Sequence, residues 1–406
     1  MDDLTAVTGT GARSRPTEPG VIAISLDHSG VLIPSLGFAT ARAVYSAALD
    51  AVRSELGDRA RVSSGPLDQV LVVLFDAAVV AAEDMTAATI DRLSRPVSVD
   101  GREFFVQSRV GLATAARFGD SDPKILSEAA LGAAHIAINT GVHCHEADSA
   151  LLSELRREVE LRTAIAKAVD TDFEMHYQPI VSLDSKEVLG YESLLRWRAG
   201  DRLLAPGEFL EAAEETSLIL PIGKAGTSAA LKQLDRWNEC TSSKSFFVAV
   251  NFSARQLSDP VLLPHIERLL AEFEIDPSAI WVEITEQDLI KFASPAVRTI
   301  EALAELGCTI CVDDLGTGFA ALRYLADLPI SVVKIDRSLI SSLMDQKSLR
   351  SIVEAICDIS RALGIDTVAE GVESEDQLPL LKDLGFTHAQ GYYFGRPAAA
   401  PDIALA

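Results

Sequence analysis

The chain has few cysteines, few aromatic residues and too few basic residues to balance its acidic ones. Its five cysteines are an odd and sparse set for 406 residues, which argues against a disulfide framework and favours reduced thiols in a cytoplasmic protein. Lys and Arg number 36 against 59 Asp and Glu, giving a net charge of −23. Such a surface argues against binding duplex nucleic acid, which requires a basic footprint. A small anionic ligand would therefore need metal ions or locally placed arginines and lysines.

Long apolar segments are also missing from the sequence. Residues 129–145 carry no Asp, Glu, Lys or Arg, but they include three histidines and are shorter than the ~18–20 apolar residues that span a bilayer. Residues 1–4 do not begin the basic and apolar pattern of a signal peptide, so we expect neither secretion nor membrane insertion. A hydrophobic content of 48% with 23% charged residues is typical of globular domains.

The hydrophobic pattern divides the chain into four segments. Residues 1–20 contain Gly, Pro and Thr without periodicity and predict a flexible tail. Strand and helix patterns alternate over residues 21–150, which predicts a smaller α/β domain, and helical spacing over residues 151–170 predicts a connecting helix. From residue 171 to residue 406, short apolar runs alternate with helical stretches, which is the pattern of a parallel sheet or barrel.

Polar residues close the apolar runs of this C-terminal segment. Eight such runs match a (β/α)8, TIM-like barrel, whose active site lies at the C-terminal ends of its strands. One polar residue at a strand end is normally just the start of a loop, but a series in register predicts a shared site at the barrel mouth. The series comprises Gln178, Glu192, Asn251, Glu283, Asp313, Asp314, Lys334, Glu370 and Gln390.

The residue types in this series indicate the chemistry of the site. Carboxylate and amide oxygens without a matching set of Cys or His select Mg²⁺ or Mn²⁺ over zinc. The adjacent Asp313 and Asp314 can place one carboxylate between two metals, and two ions about 3.5–4 Å apart suit in-line attack on a phosphodiester. Lys334 can hold the attacking water, and Arg196, four residues after Glu192, can clamp a phosphate.

Ordered motifs across residues 171–406 resemble the EAL domain of bacterial cyclic di-GMP phosphodiesterases. The matching segments are Tyr177-Gln178-Pro179-Ile180, Glu192-Ser193-Leu194-Leu195-Arg196-Trp197, Val250-Asn251-Phe252-Ser253, Glu283-Ile284-Thr285-Glu286, Asp313-Asp314-Leu315-Gly316-Thr317-Gly318, Lys334-Ile335-Asp336, Ala369-Glu370-Gly371-Val372-Glu373 and Gln390-Gly391-Tyr392. The resemblance implies hydrolysis of cyclic di-GMP to linear pGpG with two Mg²⁺ or Mn²⁺ ions. Departures from the family pattern, at Ser193, Leu315 and residues 319–321, remove no metal ligand.

The resemblance also implies a role for each residue of the site. One metal would be bound by Glu192, Asn251, Glu283 and Asp313, and the second by Asp313, Asp314 and Glu370. Lys334 would hold the nucleophilic water, and Glu370 is also a candidate general base. Substrate would be contacted by Gln178, Arg196 and Gln390. The loop after Asp314 would be anchored by Glu286 and supported by Glu373.

The smaller domain, residues 21–150, resembles a degenerate GGDEF (diguanylate cyclase) domain through the order of its elements. Pro66-Leu67-Asp68-Gln69-Val70 stands at the position of the signature, without its two glycines and its glutamate. Leu67 carries a Cβ where backbone must approach phosphates, and Gln69 cannot act as an anionic ligand. Asp27 would match one metal-binding aspartate, but Ser25 stands at its partner position. We therefore expect no cyclase activity.

Two other functions fit part of the sequence. A silent EAL domain would bind cyclic di-GMP without hydrolysis and signal to a partner protein, but such members lose a metal carboxylate or the lysine, and this chain keeps them all. An unrelated Mg²⁺-dependent barrel would not require Gln178 and Arg196. The family resemblance further suggests a homodimer formed through the barrel.

Overall fold

The computed structural model describes the chain except for residues 1–17, 28, 66–69, 78–79, 170, 241–244, 291–293, 317–324, 344–345 and 404–406. Most of the predicted tail, and the segment at the position of the GGDEF signature, lie outside the described residues. Contacts divide the chain into two compact units, Met1–Val159 and Glu160–Ala406. None of the helices among the described residues is long and apolar enough to cross a membrane.

The first unit is built on a mixed five-stranded sheet with helices on both faces. Its described elements are β1 (Pro19–Leu26), α1 (Leu32–Leu36), α2 (Phe38–Leu56), β2 (Ala60–Ser64), β3 (Val70–Asp76), α3 (Ala82–Leu93), β4 (Val97–Val99), β5 (Arg102–Phe104), β6 (Ser108–Thr114), α4 (Ala115–Phe118), α5 (Pro123–Thr140) and β7 (Cys144–Glu146). The strand order is β2-β3-β1-β6-β7. Successive residues of β1 alternate between the two faces, so Ile22 and Ile24 pack on the α2 side and Val21 and Ala23 on the α5 side.

Asp27 stabilises the turn that follows β1. It is buried and has a φ of 49°, in the left-handed region that Asp tolerates better than most residues. Its carboxylate accepts hydrogen bonds from the backbone amides of Val31 (3.1 Å) and Leu32 (3.0 Å) and from the Tyr45 hydroxyl (3.1 Å). These bonds use the acceptor positions that a metal would need, which assigns Asp27 to the fold of the first unit.

The second unit is a closed barrel wrapped by helices. Helix α6 (Leu151–Ala168) crosses the boundary between the units, and the elements that follow are β8 (Phe173–Ser182), β9 (Val188–Ala199), β10 (Arg202–Leu204), α7 (Leu210–Glu214), α8 (Ile219–Cys240), β11 (Phe247–Asn251), α9 (Ala254–Leu257), α10 (Leu262–Glu272), β12 (Ile280–Thr285), α11 (Glu286–Ile290), α12 (Ser294–Leu306), β13 (Thr309–Leu315), β14 (Val332–Ile335), α13 (Arg337–Ser342), α14 (Lys347–Leu363), β15 (Asp366–Ala369), α15 (Leu378–Leu384), β16 (His388–Gln390) and β17 (Ala398–Ala399). The ring β9-β11-β12-β13-β14-β15-β16-β8 closes through pairing of β8 with β9. The predicted TIM-like barrel is thereby confirmed.

One strand of the barrel runs against the expected direction. The sequence predicts parallel strands throughout, but β8 pairs antiparallel with both β9 and β16. Only residues 183–187 separate β8 from β9, which suits a hairpin and is too short for the crossover that joins parallel strands. Because of this reversal, Gln178 in the middle of β8 lies opposite Glu192 in the middle of β9, and both also lie well before the ends of their strands.

The C-terminal half of α6 belongs to the barrel unit. Ile165 and Ala168 are buried in a cluster with Trp197 and Phe209. Because these contacts bury apolar area, they hold the helix against the outer side of β9. The compact unit therefore begins before the predicted boundary at residue 171.

The barrel interior is apolar below the mouth. Its inner layer contains Ile180, Ala249, Trp281, Cys311, Val332 and Val368. The predicted packing of Cys308 and Cys311 as core thiols is confirmed, because both are buried and neither forms a disulfide. Burial raises the pKa of Cys308 to about 11, so it stays a thiol.

Candidate active site

Strand register brings the polar series together at one end of the barrel. Asn251 on β11 pairs with Glu283 on β12, and Thr285 on the same strand pairs with Asp313 on β13. This register places the carboxylates of Glu192, Glu283, Asp313 and Glu370 around Lys334 of β14, which is fully buried. The parallel strands that carry them end at the same edge, as in other barrels of this type.

A local irregularity lets two adjacent aspartates contribute to the same mouth. In a regular strand, successive side chains point to opposite faces. The pairing of β13 with β14 shifts register between Val312 and Leu315, and Asp314 has a φ of 56°. The Asp314 amide donates to Asp313 Oδ1 at 2.9 Å, which fixes the turn. The bulge thus turns the Asp314 carboxylate toward the Asp313 carboxylate.

Lys334 lies among four carboxylates. Its Nζ is 2.8 Å from Glu370, 3.2 Å from both Glu192 and Glu283, and 3.3 Å from Asp313. One ammonium cannot neutralise four carboxylates, and uncompensated charge in a buried site is costly. The site therefore has a surplus of negative charge that a divalent cation would offset.

The pKa values of the site reflect this crowding. Burial, followed by repulsion from Asp313, raises the pKa of Glu370 to about 8. Burial and the neighbouring Asp313 also raise the pKa of Asp314 to about 6. Burial alone would lower the pKa of Lys334, but Asp313 and the other carboxylates raise it well above its ordinary value. Lys334 is therefore a cation at neutral pH, whereas the raised pKa values of Glu283, Asp313 and Glu370 mean that these carboxylates compete for protons or metal.

The residues present fit the two metal ions that the family resemblance implies. Two groups of carboxylates each bring their oxygens within 4.8 Å of one another, and Asp313 belongs to both. The first group is Glu192, Glu283 and Asp313, and the second is Asp313, Asp314 and Glu370. Both carboxylate oxygens of Glu283 are buried and accept no hydrogen bond from the described residues, although Lys334 faces one of them. A buried carboxylate without donors is suited to a hard cation such as Mg²⁺ or Mn²⁺.

The predicted substrate contacts occupy two different environments. Arg196 lies half-buried on β9, four residues from Glu192 and hence on the same face of the strand. Gln178 and Gln390 are buried instead and bond to each other at 3.1 Å. Gln390 also donates to Glu192 at 2.6 Å, and Asn251 Nδ2 donates to the other oxygen of that carboxylate at 2.9 Å.

The two predicted loop residues also differ. Glu286 is fully buried, and its Oε2 accepts a hydrogen bond from the backbone amide of Gly316 at 3.0 Å. Glu373 is exposed and forms a 2.6 Å ion pair with Arg337, which links the loop after β15 to the first residue of α13. Surface ion pairs of this kind contribute about 0–1 kcal/mol to the stability of the fold, so Glu373 holds its loop only weakly. The loop continues into residues 317–324, which lie outside the described residues.

We expect Glu286→Gln to lower kcat by about tenfold or more with little change in Tm. Glutamine keeps the shape but loses the charge that strengthens the bond to Gly316, and charge-assisted bonds contribute about 1.5–3 kcal/mol. Steady-state kinetics across a Mg²⁺ titration measure the effect, with the exposed Glu301→Gln on α12 as control. An unchanged kcat at saturating metal would mean that the loop is held in another way.

The sequence analysis did not single out Arg396, which contacts Tyr392 of the last matching motif. The Arg396 guanidinium lies over the Tyr392 ring, 4.1 Å from its centroid. Burial lowers the pKa of Arg196, and Glu192 and then Tyr392 partly oppose that shift, so Tyr392 is near Arg196. The available signal was the aromatic run of residues 392–394, in a chain with only 6% aromatic residues.

The chain is similar to known proteins in sequence and in fold. A family model described as the EAL domain matches residues 158–397. The cyclic di-GMP phosphodiesterase PdeR of Escherichia coli is 31% identical over 340 residues, covering 82% of this chain and 50% of PdeR. A solved structure described as the PaMucR phosphodiesterase in complex with c-di-GMP is 35% identical with a TM-score of 0.57, covering 60% of this chain and all of that one. The EAL enzyme Bd1971, solved with cAMP and cyclic di-GMP bound, is 27% identical with a TM-score of 0.59, covering 75% and 83% of the two chains.

The family match begins within α6 and covers every strand of the barrel ring. This chain spans about half the length, or less, of the curated relatives it matches. The family model begins at residue 158, so the resemblance of residues 21–150 to a GGDEF domain stays a prediction. With more than half of the sequence matched and the barrel closed as the family requires, the chain belongs to the EAL domain family.

Proposed function

We propose that the barrel unit hydrolyses cyclic di-GMP to linear pGpG in a reaction that depends on two divalent metal ions. The observation that carries the proposal is the pair of carboxylate groups that share Asp313 and surround Lys334. Relatives named as cyclic di-GMP phosphodiesterases, and a neighbour solved with c-di-GMP, support the choice of substrate.

The chain offers a complete oxygen ligand set for two ions. Glu192, Asn251, Glu283 and Asp313 would hold one ion, and Asp313, Asp314 and Glu370 the other. When bound, Mg²⁺ or Mn²⁺ would polarise the phosphodiester and make water a stronger nucleophile at neutral pH. The Asn251 amide donates its N–H to Glu192, which leaves its Oδ1 as a ligand atom.

The protein side chains supply orientation and proton transfer. Lys334 Nζ, fixed by its surrounding carboxylates, holds the attacking water by a hydrogen bond, and Arg196 binds the phosphate oxygens from the same face of β9 as Glu192. Glu370, whose carboxylate lies 2.8 Å from Lys334 Nζ, is the group proposed to accept a proton from that water. The water oxygen bonds to phosphorus, the bond from phosphorus to the 3′ oxygen breaks, and the 3′ oxygen gains the proton that Glu370 took from the water. One phosphodiester thus becomes a 5′-phosphate and a free 3′-hydroxyl, which is pGpG.

A receptor without turnover is the competing function. Such a protein would bind cyclic di-GMP and signal to a partner without needing an intact metal site. Here both carboxylate groups and Lys334 are present in a compact arrangement, which favours the hydrolase.

We expect purified protein to convert cyclic di-GMP to pGpG with Mg²⁺ or Mn²⁺ and to form no product in excess EDTA. Ca²⁺ should inhibit, because its longer bonds and looser geometry would misplace the attacking water. Chromatographic separation of the nucleotides measures both results. Full activity in excess chelator would refute the metal mechanism, and binding without turnover under all metal conditions would favour the receptor.

We also propose that a second copy of the chain binds the barrel through α14. This helix exposes Ile352, Ile359 and Leu363, which are spaced to form an apolar stripe on one face. Sedimentation velocity should show a dimer for the wild type and a monomer for Ile359→Glu. A wild-type monomer at high protein concentration would exclude this interface, and an exposed control such as Val261→Glu on the residue before α10 should leave the dimer intact.

A further inference from the structure

Two buried glutamines form a chain of hydrogen bonds that ends on a proposed metal ligand. Gln178 Nε2 donates to the carbonyl of Gly395 at 3.1 Å. Gln390 Nε2 donates to Gln178 Oε1 at 3.1 Å and to Glu192 Oε2 at 2.6 Å. The chain therefore links the loop after β16 to Glu192 on β9.

The orientation of both amides follows from the two ends of the chain. A backbone carbonyl and an ionised carboxylate can only accept hydrogen bonds, so each end requires an N–H group. With Gln178 Nε2 committed to Gly395, its Oε1 must face Gln390, whose two N–H groups then serve Gln178 and Glu192. The amides cannot be flipped without placing two acceptors in contact.

Glu192 is held from several sides by this arrangement. Asn251 donates to its Oε1, whereas Gln390 and Lys334 donate to its Oε2, Lys334 at 3.2 Å. A carboxylate held in this way has little rotational freedom, so its one remaining lone pair, on Oε1, keeps a fixed direction. Without Gln390, Glu192 would be free to turn further toward the Lys334 ammonium, which attracts it strongly in a buried site.

Close backbone packing fixes the other end of the chain. A Cβ at Gly391 would lie 2.2 Å from the carbonyl oxygen of Val372, and one at Gly395 would lie 2.9 Å from the Pro179 ring. The Gln390 carbonyl accepts from Val372 N at 3.0 Å, and Tyr393 N donates to the Val372 carbonyl at 3.0 Å. The Gly395 carbonyl is therefore set by a tightly packed loop, and it gives Gln178 a stationary acceptor.

We propose that Gln390 and Gln178 are positioning residues that act in series to hold Glu192 for metal binding. The proposal rests on the proposed function only in its assignment of Glu192 as a metal ligand, and it replaces the expectation that the two glutamines contact substrate. Both side chains are buried, and both side-chain N–H groups of Gln390 already have protein acceptors, so among the described residues only its Oε1 lacks a hydrogen-bond partner. Groups that orient a metal ligand typically change metal affinity by about 10–100-fold when removed.

The test measures Mn²⁺ binding to the full chain by calorimetry without nucleotide, followed by kinetics with cyclic di-GMP. For Gln390→Met we expect the Mn²⁺ Kd to rise about 10–100-fold, and KM at saturating Mn²⁺ to stay within about twofold of wild type. Gln178→Met should shift Kd in the same direction by a smaller factor. The double variant should bind no more weakly than Gln390→Met, because the two residues act in series. Arg196→Met, a phosphate contact in the proposed function, should instead raise KM and leave the Mn²⁺ Kd unchanged.

The Mn²⁺ Kd and the KM of the variants distinguish a positioning role from substrate binding. An unchanged Mn²⁺ Kd for Gln390→Met, with a KM raised about tenfold, would overturn the proposal and return the residue to substrate binding. If Gln390→Met does not fold, Gln178→Met decides alone, by the same comparison of Kd and KM. Calorimetry needs no substrate. A wild type that binds Mn²⁺ without hydrolysing cyclic di-GMP would therefore refute the proposed function, while the Mn²⁺ Kd values of the glutamine variants would still test whether the two glutamines position Glu192. A wild type that binds no Mn²⁺ would overturn the positioning role of the two glutamines.

Discussion

Replacing Asp313 by asparagine is expected to lower kcat by about 10³-fold or more while the protein remains folded. Asp313 belongs to both carboxylate groups, so its charge serves both proposed ions. Metal-ion catalysis supplies several kcal/mol, and each 1.4 kcal/mol corresponds to about a factor of ten in rate. Asparagine retains an oxygen that can accept the hydrogen bond from Asp314 N, so the turn should persist. Steady-state kinetics with Mn²⁺ measure the loss.

The matched control for this variant is Asp366→Asn. Asp366 is exposed and begins β15, at the opposite end of a barrel strand from Glu370. Its substitution removes the same charge from the same fold and should leave kcat within about twofold, as surface changes do. A near-wild-type kcat for Asp313→Asn would contradict the shared role of this carboxylate.

The second large effect concerns stability in the absence of metal. Lys334→Met removes the cation that four buried carboxylates face, and breaking a buried ion pair in this way costs about 3–5 kcal/mol. We therefore expect a much lower free energy of unfolding in EDTA, together with loss of turnover. Mn²⁺ at about 100 times its Kd should restore about 2.7 kcal/mol, because it binds the folded state.

The pH dependence of the Lys334→Met defect has a defined sign. Burial raises the folded-state pKa of Glu283, Asp313 and Glu370 above the unfolded values, so these groups favour the folded state when they are protonated. Their contribution is lost as the pH rises through the folded-state pKa, which is about 8 for Glu370. The defect should therefore shrink as the pH is lowered below that value.

A surface lysine provides the control for this measurement. Lys186 pairs with Glu375 at 3.0 Å, but both side chains are largely exposed. Lys186→Met should change the free energy of unfolding by at most about 1 kcal/mol, and Mn²⁺ should not alter that difference. Denaturant unfolding of both variants with and without Mn²⁺ gives the comparison. Equal stabilities of Lys334→Met and wild type in EDTA would show that the carboxylates are not ionised around this lysine.

The clustering of these polar side chains at the barrel mouth could be predicted from the sequence because each follows a short apolar run. Barrel geometry brings such positions together whatever the details of the loops. Glu192, Asn251, Glu283, Asp313, Lys334 and Glu370 accordingly lie at one mouth, and their oxygen-rich chemistry could be recognised from residue type alone.

The features that escaped prediction depend on contacts between segments distant in sequence. The reversal of β8 is a choice of pairing partner, and the apolar run around Tyr177 has the same pattern in either direction. The bulge at Asp313 and Asp314 arises from the register of β13 against β14. The bonds from Gln390 to Gln178 and to Glu192 connect residues that are 212 and 198 positions apart. Residue type identified these side chains as polar and close to the mouth, but it did not reveal their partners.

The most direct test of a two-metal site is anomalous diffraction from crystals grown with Mn²⁺. We predict two manganese peaks about 3.5–4 Å apart, with the Asp313 carboxylate bridging them, Glu192 and Glu283 on one ion, and Asp314 and Glu370 on the other. No bound manganese at a saturating concentration, or a single ion without contact to Asp313, would contradict a two-metal site that shares Asp313.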